Sequence, residues 1–382
     1  MSQNQLPNFS LGCPQAPYSV AKAARPLVKE PRPALNNTEP CGTLFCYNKF
    51  GGIMRNLNLE RINLKKLELG ENELVLKRTD YPEPIVKDGY LVDSNGERIG
   101  TKGDMYAKVM MDEIMQNGTM DMNPRPHYTD GEPAHTLSIN GGGVMTYDLA
   151  KGESPLQTLR PIAVKSAIGE LLWIYQQESN DLDLLAKYGV TWWDDWDIGN
   201  RTIGSVYGET VRRHELMKDL LEGLKNNPDG RRHIINLWQV DDFKEPHGLK
   251  PCAYLTTFNV RHEWDGKDYL DMSLKQRSSD FATAGCINQV QYVILQNLVA
   301  RHLGIEPGRF TWQYDNIQLY DRHLDQAIEM MWRDPLNCDP KIVINPDKTN
   351  FYDMEVSDIK VEGYPRELIK TKNPQVKFLL GI

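Results

Sequence analysis

Two strand-forming runs, CAYLTTFNVRHEW (Cys252–Trp264) and YLDMSLKQRSSD (Tyr269–Asp280), stand on either side of Asp265-Gly266. Asp-Gly between β-rich runs is a strong hairpin signal. A long hairpin deep inside the chain commits the fold to a sheet. If Asp265 and Gly266 centre the turn, paired positions sum to about 531, so Cys252 faces Ser279 and Arg277 lies diagonal to it on the same side. A guanidinium beside a thiol favours the thiolate, the reactive form. A packed cysteine beside an arginine in an unrelated ion pair is the other reading of the same residues.

Other segments surround this hairpin with both kinds of element. MYAKVMMDEIMQNG has helical spacing and stops at Asn-Gly, AHTLSIN and GVMTYDL read as two strands, and PIAVKSAIGELLWIYQQ reads as a long helix with proline in its first turn. RHELMKDLLEGLKNNPDG is an amphipathic helix stopped by Asn-Pro-Asp-Gly, and RRHIINLWQV reads as a strand. INQVQYVILQNLVARHLG is a long apolar helix, followed by strand RFTWQYD and helix YDRHLDQAIEMMW. Helices and strands mix without a βαβ rhythm, which gives an α+β class.

The 382 residues allow more than one domain. Residues 1–40 hold seven prolines, and the first fifty carry five bases against two acids, so 1–50 reads as an extended or disordered arm. A solvated tail and a basic contact for nucleic acid both fit it. Residues 51–103 read as a small β-rich appendage, and 104–382 as the main domain. The whole chain has net charge −8, which argues against general nucleic-acid binding. No apolar run reaches membrane-spanning length, and MSQNQLPNFSLG does not read as a signal peptide. Six cysteines without CxxC or zinc-like spacing read as reduced thiols in a cytosol-like compartment, with no metal site.

Two further features carry chemistry. Glu170 shares a helical stripe with Ala163, Ala167 and Ile174 on a helix that is apolar nearly all round. A carboxylate there should hold its proton more tightly than usual and could pass it on; a structural Glu bonded to backbone is the alternative. Arg231-Arg232 opens a strand, where neighbours point to opposite faces. The doublet fits a surface ion pair or a phosphate site.

Taken in order, DGEPAHTLS, SAIGELLWIYQQESND, VTWWDDWDIGNRTIGSVYG, NNPDGRRHIINLWQ, LKPCAYLTTFNV, QRSSDFATAGCINQVQY, WQYDNIQLYDRHLDQA and FYDMEVSDIKVEGY resemble the thymidylate synthase family over roughly residues 104–382. The resemblance implies a large twisted mixed sheet flanked by helices, two sheets packing back to back in a homodimer, and a cytoplasmic enzyme. It implies dUMP as substrate and 5,10-methylenetetrahydrofolate as co-substrate. Cys252 would be the nucleophile, with Glu170, Asn288 and Tyr207 as its catalytic companions. Arg125, Arg277 and Ser278 would hold the phosphate, and Arg231 and Arg232 would reach it from the other subunit. Asn288 would read the base, since a carboxamide both accepts and donates; a helix cap is its other reading. Gln318 and Tyr320 would bind the sugar, with Asp280 at both nucleotide and folate. Trp193, Trp196, Leu249 and the chain end FLLGI, with Ile382 last, would line or close the folate site.

The sequence departs from the family pattern at several places. Ala253 follows the nucleophile where the most familiar members have His, and Gln318 stands for another His. TAGCINQ replaces a motif close to LGLPFN, and Asn316 stands for an acid. Three functions follow: a thymidylate synthase, a dUMP hydroxymethylase in which water replaces the hydride, and a catalytically silent binding relative.

Overall fold

The computed structural model describes residues 80–379 and Gly381. The expected arm at 1–50, the first part of the expected appendage and Ile382 lie outside these residues. Strands β1 (Val86–Lys87) and β2 (Tyr90–Leu91) form a small antiparallel ribbon. Helix α1 (Lys102–Asn117) then starts in a capping box: Thr101 Oγ1 accepts from the Asp104 N–H and Asp104 Oδ2 accepts from the Thr101 N–H. It ends at Gly118, as the Asn-Gly signal predicts.

After β3 (Thr119–Met120), strand β4 runs unbroken over Thr136–Asp148, where two strands were expected. Gly141 and Gly142 both take positive φ, and the register against the partner strand slips between Asn140 and Gly143. The glycines that look like a turn are a β-bulge inside one strand. Helix α2 (Val164–Tyr175) starts three residues after Pro161 rather than with it in the first turn. The chain before it is held by the buried Arg160, whose Nη2 donates to the carbonyls of Ala282 and Thr283. Helices α3 (Leu182–Ala186), α4 (Gly208–Arg213) and α5 (Leu216–Asn226) follow. Arg231 and Arg232 precede strand β5 (Ile234–Asn236) instead of opening it, so strand alternation does not govern their directions.

The hairpin forms as strands β6 (Ala253–His262) and β7 (Asp268–Gln276). Its register differs from expectation. Glu263 pairs with Lys267 around a three-residue loop in which Gly266 takes positive φ, so pairs sum to 530. A bulge between Ala253 and Leu255 shifts the end once more, so Ala253 pairs with Gln276 and Cys252 faces Arg277 rather than Ser279. The two one-residue offsets add, and side-chain facing returns to the expected side.

Strand β8 (Ser279–Asp280) leads into helix α6 (Cys286–Leu303), strand β9 (Glu306–Tyr320) and helix α7 (Leu324–Trp332). Strands β10 (Lys341–Ile344) and β11 (Ile359–Glu362) pair as a second ribbon before helix α8 (Arg366–Lys372). The main sheet has seven strands in the order β3-β4-β9-β7-β6-β5, with β8 also on β9; β7 and β8 lie parallel to β9 and the other pairs are antiparallel. Mixed sheet and packed helices make the fold α+β. Helix α6 is buried along most of its length and packs on α2, α5, β7 and β9. Each Leu or Ile it buries contributes roughly 1.5–3 kcal/mol. The stack of α2 on α6 over the sheet fixes the positions of Glu170 and Asn288.

Candidate active site

A cavity of about 60 Å³ lies where α2, α6 and the start of β6 converge. Glu170, Ile174 and Tyr175 line it from α2, Asn288, Gln291 and Tyr292 from α6, Ala253 from the start of β6, and Trp193, Tyr207 and Cys252 from the connecting segments. It has room for only a few water molecules. The structure thus brings together all four expected catalytic residues with Trp193.

Cys252 is half-buried just before the start of β6. Its N–H donates to the Tyr207 hydroxyl at 3.2 Å, and its carbonyl accepts from the Arg277 N–H at 2.9 Å. Burial pushes its thiol above the usual cysteine range, while Arg277 and then Arg125 pull against that without cancelling it. The expected cation is present, but burial is the larger effect. Arg277 Nε and Nη2 grip the carbonyls of Pro251 and Lys250, and its guanidinium lies 5.6 Å from the centre of the Trp238 ring.

Tyr207 takes φ 53° and ψ −112°, a conformation that a bulky residue adopts only when its surroundings enforce it. At the next residue, Gly208, an added Cβ would lie 2.1 Å from the Ser179 carbonyl oxygen, so the backbone there packs closely on Ser179. The Trp193 ring packs edge-on against Tyr207 at 4.9 Å. Trp196 lies 5.7 Å from Trp193, and Leu249 packs half-buried against the core.

Glu170 is buried, and loss of water raises its carboxyl above the ordinary range. The Gln291 amide and the Trp192 indole counter that rise. Trp192 Nε1 donates to Glu170 Oε2 at 2.5 Å. Asn288 lies inside α6 rather than at its cap. Its Oδ1 accepts from Gln276 and its Nδ2 donates to the Gln291 Oε1, at 3.1 and 3.2 Å.

The remaining expected residues sit around this cavity or away from it. Asp280 pairs with Gln318 across β8 and β9. Asp280 Oδ1 is buried without a partner among the described residues, and Oδ2 lies 3.7 Å from Nδ1 of the fully buried His323. Burial and then Asp280 raise the Tyr320 phenol well above its usual range, with Arg125 opposing. Exposed Arg125 therefore acts on both Tyr320 and Cys252. Ser278 is half-buried, its carbonyl accepting from Gln276. The C-terminal segment reaches the same region: His323 Nε2 lies 2.6 Å from the Leu379 carbonyl, and a Cβ added to Gly381 would lie 2.9 Å from the Tyr320 ring. Arg231 and Arg232 are exposed and do not line the cavity.

The model of the family described as thymidylate synthase matches residues 104–374. The chain belongs to the thymidylate synthase family. The thymidylate synthase of Lactococcus lactis subsp. cremoris (strain SK11) is 46% identical over 284 residues, covering 74% of this chain and 100% of that protein. That of Streptococcus pneumoniae (strain 70585) is 45% identical over 285 residues, with 74% and 100% covered. Among solved structures, the thermostable thymidylate synthase A from Bacillus subtilis aligns with TM-score 0.66 and 32% identity, over 73% of this chain and 99% of that one.

Sequence reasoning missed Trp192, Tyr175, Gln291 and Tyr292. Tyr175 and Tyr292 join their hydroxyls across α2 and α6 at 2.7 Å. Gln291 could have been found from its spacing, since three residues after Asn288 lies on the same helical face. Trp192 gave no such signal.

Proposed function

We infer that this chain is a thymidylate synthase that converts dUMP and 5,10-methylenetetrahydrofolate to dTMP and dihydrofolate. The observation that carries the reading is the meeting of Cys252, Glu170 and Asn288 in one small buried cavity of a chain of this family.

In this reading Cys252 adds through sulfur to C6 of the pyrimidine, making C5 nucleophilic toward the one-carbon unit. The folate supplies that carbon and then the hydride that reduces it to a methyl group. Glu170, with water, takes the C5 proton and supports the charge on O4. Expulsion of the Cys252 thiolate restores the ring. Asn288 reads O4 and N3–H with its carboxamide, Gln318 and Tyr320 hold the sugar, and Arg125, Arg277 and Ser278 hold the phosphate. Trp193, Trp196 and Leu249 form the folate wall, and the unpartnered Asp280 Oδ1 suits an N–H of the pterin ring. The C-terminal segment beside Tyr320 excludes water during hydride transfer.

The catalytic domain in this reading is 104–382, acting in the cytoplasm as a homodimer. Alternate residues of β7 and β9 are only half-buried, which suits a partner sheet packed on that face. Arg231 and Arg232 then reach the phosphate of the partner's site. Product analysis tests the reading: dTMP and dihydrofolate should form in equal amounts. Hydroxymethyl-dUMP without dihydrofolate would replace it with the hydroxymethylase reading.

A further inference from the structure

The Trp192-Trp193 pair divides its work. Trp193 is buried, lines the cavity and packs on Tyr207. Trp192 does not line the cavity, yet its indole N–H reaches the carboxylate that does. We propose that Trp192 is the positioning residue of Glu170: from behind the cavity wall it fixes one carboxylate oxygen and sets the orientation and proton affinity with which Glu170 meets the substrate.

Three observations support this. The Trp192 N–H donates to Oε2 at 2.5 Å, and such a bond is about twice as strong when the carboxyl is ionised as when it is neutral. Among the described residues, no cation lines the cavity beside Glu170. The titratable groups around it are Tyr175 on its own helix, Tyr292 on α6, Tyr207 before α4 and Cys252 across the cavity. Each is neutral at pH 7, because burial raises all four. Ala253, beside Cys252, contributes only a methyl group to the same wall. The polar hold on Glu170 is therefore left to Trp192 and Gln291. Gln291 is already shared, since its Nε2 also donates to the Ala167 carbonyl at 3.4 Å.

The proposal rests on the synthase reading for the role of Glu170, but its test does not need turnover. Trp192→Phe keeps one aromatic ring and removes the pyrrole ring that carries the N–H. Losing a donor to the ionised form raises a carboxyl's pKa. The infrared band of the protonated Glu170 carboxyl, assigned by its loss in Glu170→Gln, should titrate about one pH unit higher in Trp192→Phe. The acidic limb of the kcat profile should move with it, while KM for dUMP stays within about twofold. Trp192→His, which restores an N–H, should bring the midpoint back toward wild type. An unmoved midpoint in folded Trp192→Phe, or equal shifts in both variants, would overturn the proposal. Absence of dTMP formation by the wild type would instead overturn the synthase reading, leaving the infrared titration to decide the role of Trp192.

Discussion

Arg277 sits directly across from Cys252, its backbone N–H donating to the Cys252 carbonyl at 2.9 Å, and its guanidinium turns back to grip Pro251 and Lys250. One residue thus fixes the backbone that carries the thiol and supplies the larger charge that opposes its burial. Arg277→Ala should raise the alkylation midpoint of Cys252 by about one pH unit and lower kcat/KM for dUMP by roughly 100-fold, about 2.7 kcal/mol. Arg277→Lys keeps the charge but cannot grip two carbonyls as a planar fork. It should restore most of the alkylation midpoint and little of kcat/KM. Both variants matching wild type in alkylation would remove Arg277 as the thiol's electrostatic partner.

Asn288 is oriented by two amides, Gln276 donating to its Oδ1 and Gln291 accepting from its Nδ2. Asn288→Asp keeps the first contact and sets the second against a carboxylate, so Gln291 must turn its amide. The acid can no longer donate to O4 when ionised, whereas it can accept from the amino group of cytosine. Competition between dUMP and dCMP should swing toward dCMP, with kcat/KM for dUMP falling roughly 10–1000-fold. Unchanged selectivity would mean that another group reads the base.

What could be read from the chain depended on whether a residue's role was local. Glu170 was legible because an apolar helix around a carboxylate implies burial, and burial is what raises it. The facing of Cys252 and Arg277 was legible from the Asp-Gly turn, although the register was not. Two one-residue shifts, one in the turn and one in the bulge, are invisible to pattern but add to an even number. The glycine run in β4 looked like a turn because a bulge uses the same positive-φ residues. Trp192 was not legible, because its partner lies 22 positions away on another element and nothing periodic links them. The same limit hid the closeness of His323 to both Asp280 and the Leu379 carbonyl.

Asp358 ties the connection between β10 and β11. It accepts from Asn345 Nδ2, Lys348 Nζ and the Glu355 N–H. The Asn345 bond first and Lys348 second lower its carboxyl from 3.8 to about 2. A depressed folded value gives stability that is fully present above the unfolded value and is lost as pH falls through the folded one. Urea midpoints should therefore fall between about pH 4 and pH 2 more steeply in wild type than in Asp358→Asn. Parallel acid limbs in the two proteins would rule out Asp358 as a source of that slope.

Arg231 and Arg232 are exposed, have no ion pair among the described residues and do not line the cavity of their own chain. Guanidinium groups suit a phosphate, and in the proposed symmetric dimer that anion would be the one bound in the other subunit. The double variant Arg231→Ala, Arg232→Ala should lose most affinity for dUMP while its Cys252 still alkylates at the wild-type rate. Cys252→Ala should be inactive with its arginines intact. Mixed, unfolded together and refolded, the two inactive proteins form hybrids in which one of the two sites has both a thiol and the opposite chain's arginine pair. Random pairing should therefore return about a quarter of wild-type activity. Recovery should follow subunit exchange, rising with refolding time and vanishing when the two variants are mixed without unfolding. No recovery, from variants that each refold and dimerise, would place both arginines in a role within their own chain and would remove the shared site from the proposed mechanism.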